Sequence, residues 1–341
     1  MSQALPPRPV IFDTDPGIDD AMALWMLARH PGLDLRAITT VHGNAPVGTT
    51  TRNALALVDF FGLDVPVAAG ADDALLPRTE RFFPTQVHHE DGLGGGAPLL
   101  PATRRQPDPR PAWQLICDEI NAAPGEITLV AVAPLTNLAL ALRHDPGIAR
   151  KVREVVLMGG AFGLHGHGGN VTPVAEANII NDPEAADLVF TASWPVVTVG
   201  LDVTQQVVMP EALLQSLQGR RGPVGDFFWQ ITRHYQRYYD GRDAIGGLYA
   251  HDASAVVYCV APEAFQLRRG PVRVALEGIA RGQTIQDHLG LHEDSPASPW
   301  RGCPDQQVCV GVDAQRVRDE FMQLFDDSSQ AASPAVSGDS Q

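Results

Sequence analysis

Four carboxylates crowd into eight residues near the start of the chain. Asp13, Asp15, Asp19 and Asp20 stand in the run Val10-Ile-Phe-Asp-Thr-Asp-Pro-Gly-Ile-Asp-Asp-Ala-Met-Ala-Leu. Like charges this close repel, so a fold that gathers them needs a cation or bound protons to hold them together. A hard divalent ion, Ca²⁺ or Mg²⁺, suits an all-oxygen donor set. The apolar run before the cluster and the helical pattern after it place the acids at the carboxyl end of a first strand. Simpler readings explain less. An EF-hand would need Asp or Asn where Gly17 stands, in a helix-loop-helix context. Capping of a helix N-terminus by Asp19 or Asp20 accounts for one carboxylate, not four. A phosphatase with an aspartate nucleophile also begins Asp-x-Asp after a strand, which would give Asp13 that part. It would want a lysine close by, and the single lysine, Lys151, falls in a helix-to-strand connection.

The elements that must position this cluster follow from the apolar pattern. Short continuous apolar runs at Pro9 to Phe12, Leu35 to Val41, Ile127 to Val132, Val152 to Met158 and Pro195 to Leu201 read as strands. Between them, Ala21 to Arg29, Thr51 to Phe61, Trp113 to Ala122 and Leu135 to Arg143 read as helices. Continuous rather than alternating strands separated by helices predict an α/β fold, a single domain with a mostly parallel central sheet flanked by helices. Glycine and polar residues collect after each strand, at Val41-His-Gly-Asn44, Ala133-Pro-Leu-Thr-Asn137, Met158-Gly-Gly and Leu201-Asp-Val-Thr204. Ligands bind at the carboxyl ends of such sheets. The expected pocket is floored by Asp15, Asn44 and the loop before Thr136. Two glycine-rich loops, Arg81 to Gly96 and Gly163 to Asn170, are placed to cover it.

Further along, Asp182 before Pro183 reads as a helix N-cap and not as chemistry. Phe227 to Tyr239 reads as an aromatic helix ending in Tyr235, Tyr238 and Tyr239, a wall suited to a flat ligand. His251-Asp252 supplies a histidine and a distant acid at another helix start. Val272 to Arg281 and Gln307 to Val312 read as strands, and Ala314 to Phe325 as a last helix. From Asp326 the composition turns to Ser, Ala, Pro, Gln and Gly. This leaves 8–326 as the domain and 327–341 as a tail predicted to be disordered.

Of 341 residues, 44% are hydrophobic and 19% charged, as in an ordinary globular protein. A net charge of -15 argues against nucleic-acid or anionic-membrane binding. The four scattered cysteines, Cys117, Cys259, Cys303 and Cys309, read as reduced thiols. No apolar leader and no run of about 18 apolar residues occurs. A cytoplasmic protein is expected.

Asp13-Thr-Asp-Pro-Gly-Ile-Asp-Asp-Ala resembles the signature of the inosine-uridine nucleoside N-ribohydrolases. Further segments agree in order: Val41-His-Gly-Asn44, His88-His-Glu-Asp-Gly-Leu, Ala133-Pro-Leu-Thr-Asn-Leu, Val156-Leu-Met-Gly-Gly, Ala175-Glu-Ala-Asn178 and His251-Asp252. The resemblance runs from about Pro9 to Phe325. It implies a Ca²⁺ ion held by the side chains of Asp15, Asp20 and Asp252 and the carbonyl of Val132. Asp19 and Asn44 would hold the ribose hydroxyls, and Asn170, Glu176 and Asn178 the 3′- and 5′-hydroxyl region. His88 and His251 would face the base, with Tyr239 on the same aromatic wall. Asp15 would be the general base toward a metal-activated water, and His251 the acid for the leaving group. The implied reaction is hydrolysis of a ribonucleoside to ribose and free base through an oxocarbenium-like transition state, and the implied assembly is a homodimer or homotetramer.

Departures from that pattern gather on the base side. His42 stands where a glycine is common, His89 replaces the usual glycine after His88, and Gly94-Gly95 replaces a more polar pair. The tract His165-Gly-His-Gly-Gly is unusual, and His292 to Asp305 has the look of an insertion. The alternatives carried forward are the aspartate-nucleophile (HAD-like) phosphatase and a non-catalytic ribonucleoside-binding protein.

Overall fold

A computed structural model describes residues 6–77, 83–291 and 297–326. The tail 327–341, the first residues of the loop beginning at Arg81, and the first part of the stretch beginning at His292 lie outside the described residues. The first half of the chain alternates regularly: β1 (Arg8–Thr14), α1 (Ile18–Arg29), β2 (Leu33–Thr40), α2 (Val47–Phe60), β3 (Val67–Ala69), α3 (Thr85–His88), α4 (Ala112–Ala122), β4 (Thr128–Ala131), α5 (Thr136–His144) and β5 (Glu154–Met158). It continues with α6 (Ala177–Asn181), α7 (Pro183–Thr191), β6 (Val196–Val199), α8 (Leu201–Thr204), β7 (Val208–Pro210), α9 (Glu211–Gln215), α10 (Pro223–Arg242), β8 (Gly247–Tyr249) and α11 (His251–Val260). The last elements are β9 (Phe265–Gly270), β10 (Val272–Val274), β11 (Thr284–Gln286), β12 (Gln306–Val312) and α12 (Ala314–Met322).

The central sheet has eight strands in the order β3-β2-β1-β4-β5-β6-β12-β9. All neighbours are parallel except β9, which pairs antiparallel with β12 at the edge. Both faces are covered, which is why the strands lack alternation. Phe12 and Val130 pack into one apolar core with α1, α10 and α11. Ile11 and Leu129 pack into the other with α4, α5 and α7. The strand order reverses between β1 and β4, whose residues pair Asp13 with Ala131. At such a switch point the two following loops diverge and open a crevice. The acidic cluster follows β1 and Val132 follows β4, so both sit at that crevice.

The expected strands and helices are present, with three differences. First, α1 begins at Ile18, three residues before the apolar period starts at Ala21, because Asp19 and Asp20 occupy its first turn. Second, the run expected as a strand over Val272 to Arg281 is extended only to Val274, where it forms a hairpin with β11. Gly278 and Gly282 then turn the chain at φ 70° and 85°. Third, the short strands β3, β7, β8 and β9 have no apolar run that would announce them. Asp182 caps α7 as expected, accepting from the Ala185 amide at 3.0 Å. The four cysteines are free.

Candidate active site

The site begins where β1 runs out. Asp20, at the third position of α1, is held from four sides. Its Oδ1 accepts from Thr14 Oγ1 (2.5 Å) and the Asp15 amide (3.3 Å), and its Oδ2 from the Gly17 amide (2.9 Å) and Asn44 Nδ2 (3.0 Å). Capping therefore does account for one carboxylate, Asp20. Asp15 Oδ2 accepts from the Asn44 amide at 2.7 Å, while its Oδ1 is buried with no partner. Asp252 arrives from the first turn of α11, which packs against α1. Oxygens of Asp19, Asp20 and Asp252 lie within 4.8 Å of one another. Two ligands on opposite sides of a Ca²⁺ at about 2.4 Å are about 4.8 Å apart, so this spacing admits a shared cation. Asp15 stands beside this trio and not in it.

Electrostatics point the same way. Burial, then repulsion from Asp20, raises the Asp15 carboxyl well above its ordinary value. Burial and Asp20 raise Asp19 to about 8. Burial, then Asp19 and Asp20, raises Asp252 well above the usual range. Packed without a cation, these acids are driven to hold protons. A divalent ion would relieve both the repulsion and the orphaned Asp15 oxygen, so the donor set fits a hard cation.

A cavity of about 300 Å³ opens above the cluster. Asp19, Asn44, His88, Val132, Asn170, Glu176, Asn178, Tyr239, His251 and Asp252 all line it. Asp15 and Asp20 lie deeper, 1% exposed each. On one side Glu176 caps α6, accepting from the amides of Asn178 (2.8 Å), Gly160 (2.9 Å) and Ile179 (3.1 Å). Asn170 Oδ1 accepts from the Ala177 amide at 3.0 Å. The side chain of Asn178 donates to the carbonyls of Val132 and Met158, both at 3.1 Å.

The opposite side carries the histidines and tyrosines. His88 Nδ1 accepts from the Ile18 amide at 3.4 Å, and its ring tilts against Tyr235 at 5.5 Å. Its approach requires Gly17, where a Cβ would stand 2.5 Å from His88 Nδ1. His89 adopts φ 64°, the left-handed region that favours glycine, at the position where the resembled family usually has one. His251 Nδ1 lies 2.7 Å from Thr204 Oγ1 and Nε2 lies 2.9 Å from Tyr239 OH. Burial lowers both His88 and His251 to about 3. His251 is thus a neutral hydrogen-bond donor here and not an imidazolium. His165, expected in a loop near the pocket, instead meets the Val310 carbonyl at 2.7 Å.

Tyr235 was expected only as part of the aromatic wall, and neither Arg242, which lines the pocket, nor Thr204, which stands behind it, was singled out from the sequence. Tyr235 donates to Asp19 Oδ2 at 3.2 Å, and its spacing of four from Tyr239 on one helix was the available signal. Arg242 donates to the Asn170 carbonyl at 3.2 Å, bridging α10 to the opposite wall. Thr204 had no signal beyond its place after a strand. Asp13 is 0% exposed, and its Oδ1 accepts from Thr39 Oγ1 (2.5 Å) and Asn137 Nδ2 (2.8 Å). It braces the ends of β1 and β2 and faces no substrate space, which removes the footing of the phosphatase alternative.

The sequence model of the family described as "Inosine-uridine preferring nucleoside hydrolase" matches residues 10–319. The chain is 38% identical to "Probable uridine nucleosidase 2" of Arabidopsis thaliana over 311 residues, covering 91% of this chain and 95% of that protein. It is 38% identical to the "Pyrimidine-specific ribonucleoside hydrolase RihB" of Escherichia coli over 285 residues, covering 83% of this chain and 88% of that protein. Among solved structures, "Plant nucleoside hydrolase - PpNRh1 enzyme" superposes with a TM-score of 0.89 at 39% identity, covering 94% of this chain and 99% of that one. "Purine-Preferring Ribonucleoside Hydrolase from Gardnerella vaginalis" gives 0.85 at 31%, covering 95% and 100%.

Proposed function

The chain belongs to the inosine-uridine preferring nucleoside hydrolase family, an N-glycosyl hydrolase family, and we propose that it cleaves ribonucleosides to ribose and free base with a Ca²⁺ ion held in the acidic cluster. The observation that carries this reading is the convergence of Asp19, Asp20 and Asp252 beside the unpaired oxygen of Asp15, at the floor of a cavity with carboxylates below and histidines and tyrosines opposite. When bound, the ion would supply Lewis-acid activation of water and an anchor for vicinal hydroxyls.

The chain's own residues do the rest. Asp15, with the Asn44 amide fixing one oxygen, keeps the other free to take a proton from the attacking water. Asp15, Asp20 and Asp252 would hold the ion with the Val132 carbonyl. Asp19 and Asn44 bind ribose hydroxyls, while Asn170, Glu176 and Asn178 enclose its 3′ and 5′ side. Carboxylates and amide oxygens around the sugar favour the positive charge that develops at C1′. Attack from the face opposite the base inverts that carbon. His88, Tyr239 and His251 border the base, and His251 donates a hydrogen bond to the departing nitrogen. A neutral imidazole suits that electrophilic role. The substrate is a small ribonucleoside, the expected assembly is a homodimer or homotetramer, and the compartment is the cytoplasm. No described helix is long and apolar enough to cross a membrane.

The test is a reducing-sugar assay on inosine, uridine, cytidine and adenosine, with Ca²⁺ and with chelator. Metal-dependent ribose release is expected. Nucleoside binding without ribose release would instead establish a binding protein, and turnover of phosphate esters alone would overturn the assignment.

A further inference from the structure

His251 is 4% exposed, and both its ring nitrogens have buried hydroxyl partners. Taken alone, neither contact gives the position of the proton, because a hydroxyl donates or accepts and a neutral imidazole does one at each nitrogen. The far end of the network removes the ambiguity. Tyr235 donates to Asp19 Oδ2 and Tyr239 donates to the Tyr235 oxygen, both at 3.2 Å. In that contact the Asp19 oxygen is the acceptor. The single proton of Tyr235 is then committed to Asp19, and that of Tyr239 to Tyr235. The Tyr239 oxygen is left to accept, and the donor is His251 Nε2–H at 2.9 Å. In a neutral ring Nδ1 must accept, so the hydroxyl 2.7 Å away, Thr204 Oγ1, must donate.

We propose that Thr204 is a positioning residue that fixes the tautomer of His251, holding its one proton on Nε2 at the Tyr239 edge of the pocket. Thr204 closes α8, at the end of β6, and is 0% exposed. It approaches His251 from behind and never meets substrate. The alternative tautomer would turn a lone pair toward Tyr239 and the base, leaving no ring proton that could pass from its Tyr239 partner to a leaving nitrogen once substrate is bound. The inference rests on the nucleoside reading above for its consequence, and on hydrogen-bond polarity for its geometry.

The experiment has a spectroscopic arm and a kinetic arm. In Ca²⁺-loaded wild type, ¹⁵N–¹H correlation of the His251 ring should show Nε2 protonated and Nδ1 bare. Thr204→Val, which removes the hydroxyl and keeps the shape, should populate both tautomers. Its kcat/KM on uridine should fall roughly tenfold, a part of the ~10²- to 10⁴-fold that a positioned acid contributes. A nitrophenyl riboside, whose leaving group departs without help, should lose less than about twofold. Thr204→Ser should restore both the spectrum and the uridine rate. A proton on Nδ1 in wild type overturns the proposal, whether or not the valine variant folds. Equal losses on both substrates overturn it too. If wild type releases no ribose from any nucleoside, the nucleoside reading fails, and the ring spectrum still decides the tautomer.

Discussion

The side-chain amide of Asn178 donates to the main-chain carbonyl of Val132 at 3.1 Å. A residue expected to grip the sugar therefore also orients the one backbone oxygen expected to touch the metal. It ties β4 to α6 across the switch point, since the Val132 amide in turn donates to the Asp13 carbonyl at 2.9 Å. Asn178→Ala should weaken Ca²⁺ binding about tenfold, the usual scale for a group that orients a ligand, and raise KM as well. Calorimetric Ca²⁺ titration beside steady-state kinetics separates the two. A raised KM with unchanged Ca²⁺ affinity would leave Asn178 a substrate contact alone.

Asp13, in β1, and Asp15, just past its end, are two residues apart and should respond oppositely to the same change. Asp15→Asn removes a charge and the proposed base, and turnover should fall by several orders of magnitude, on the order of 10³-fold or more. Asp13→Asn keeps an oxygen for Thr39 and Asn137 to bond, and kcat should stay within about tenfold while stability falls by about 1–2 kcal/mol from the buried amide protons left unpaired. Ribose release and denaturant unfolding check both variants. Loss of turnover in Asp13→Asn with an intact fold would reinstate Asp13 as a chemical participant.

Much of this site was legible in the sequence because its residues sit at the ends of continuous apolar runs, and strand ends are where a doubly covered sheet presents ligands. Asp15, Asn44 and Val132 each lie at or just past the end of such a run, whereas Asn178 lies on α6 and is brought back to the end of β5 by the loop that follows it. What was not legible travels by other routes. The start of α1 was displaced because its first turn is made of acids facing a cluster, not of apolar residues facing the core. β8 is three residues long, and β9 is an edge strand whose Gln266 and Leu267 are exposed, so neither has a continuous apolar pattern. The Thr204–His251–Tyr239–Tyr235–Asp19 network joins four helices, α8, α11, α10 and α1, and is set by hydroxyl geometry, which no periodicity encodes.

Gly43 makes room for Asp15. A Cβ there would stand 1.9 Å from Asp15 Oδ2 and 3.0 Å from Pro134 Cδ, so Gly43→Ala must push the carboxylate out of place. Because displacement of about 1 Å in a catalytic group costs about 10²-fold, kcat/KM should drop on that scale with little change in the circular dichroism spectrum. Gly48→Ala is the control. It lies in α2 with nothing within 4 Å of its new methyl, and it should leave activity unchanged and stabilise by about 0.5–1 kcal/mol. Equal behaviour of the two variants would mean that Asp15 tolerates movement and is not the positioned base.

The acidic cluster also makes a pH signature that depends on the cation. Burial, with repulsion from Asp20, raises Asp19 to about 8 from an ordinary 3.8. Without a cation the folded state then binds more protons than the unfolded chain between about pH 4 and 8, so stability falls as pH rises through that window. The contribution is intact below about pH 4 and is lost once pH passes the folded value near 8. A bound divalent ion replaces those protons, and its stabilisation grows as the carboxylates ionise. Chelated protein should therefore show a Tm that declines from about pH 5 to 8. Protein in excess Ca²⁺ should not decline, and the gap between the two should widen steadily with pH. Scanning fluorimetry across that range, with Mg²⁺ as a second ion, reads the effect directly. A gap that stays constant with pH would mean that the ion binds somewhere other than among Asp15, Asp19, Asp20 and Asp252.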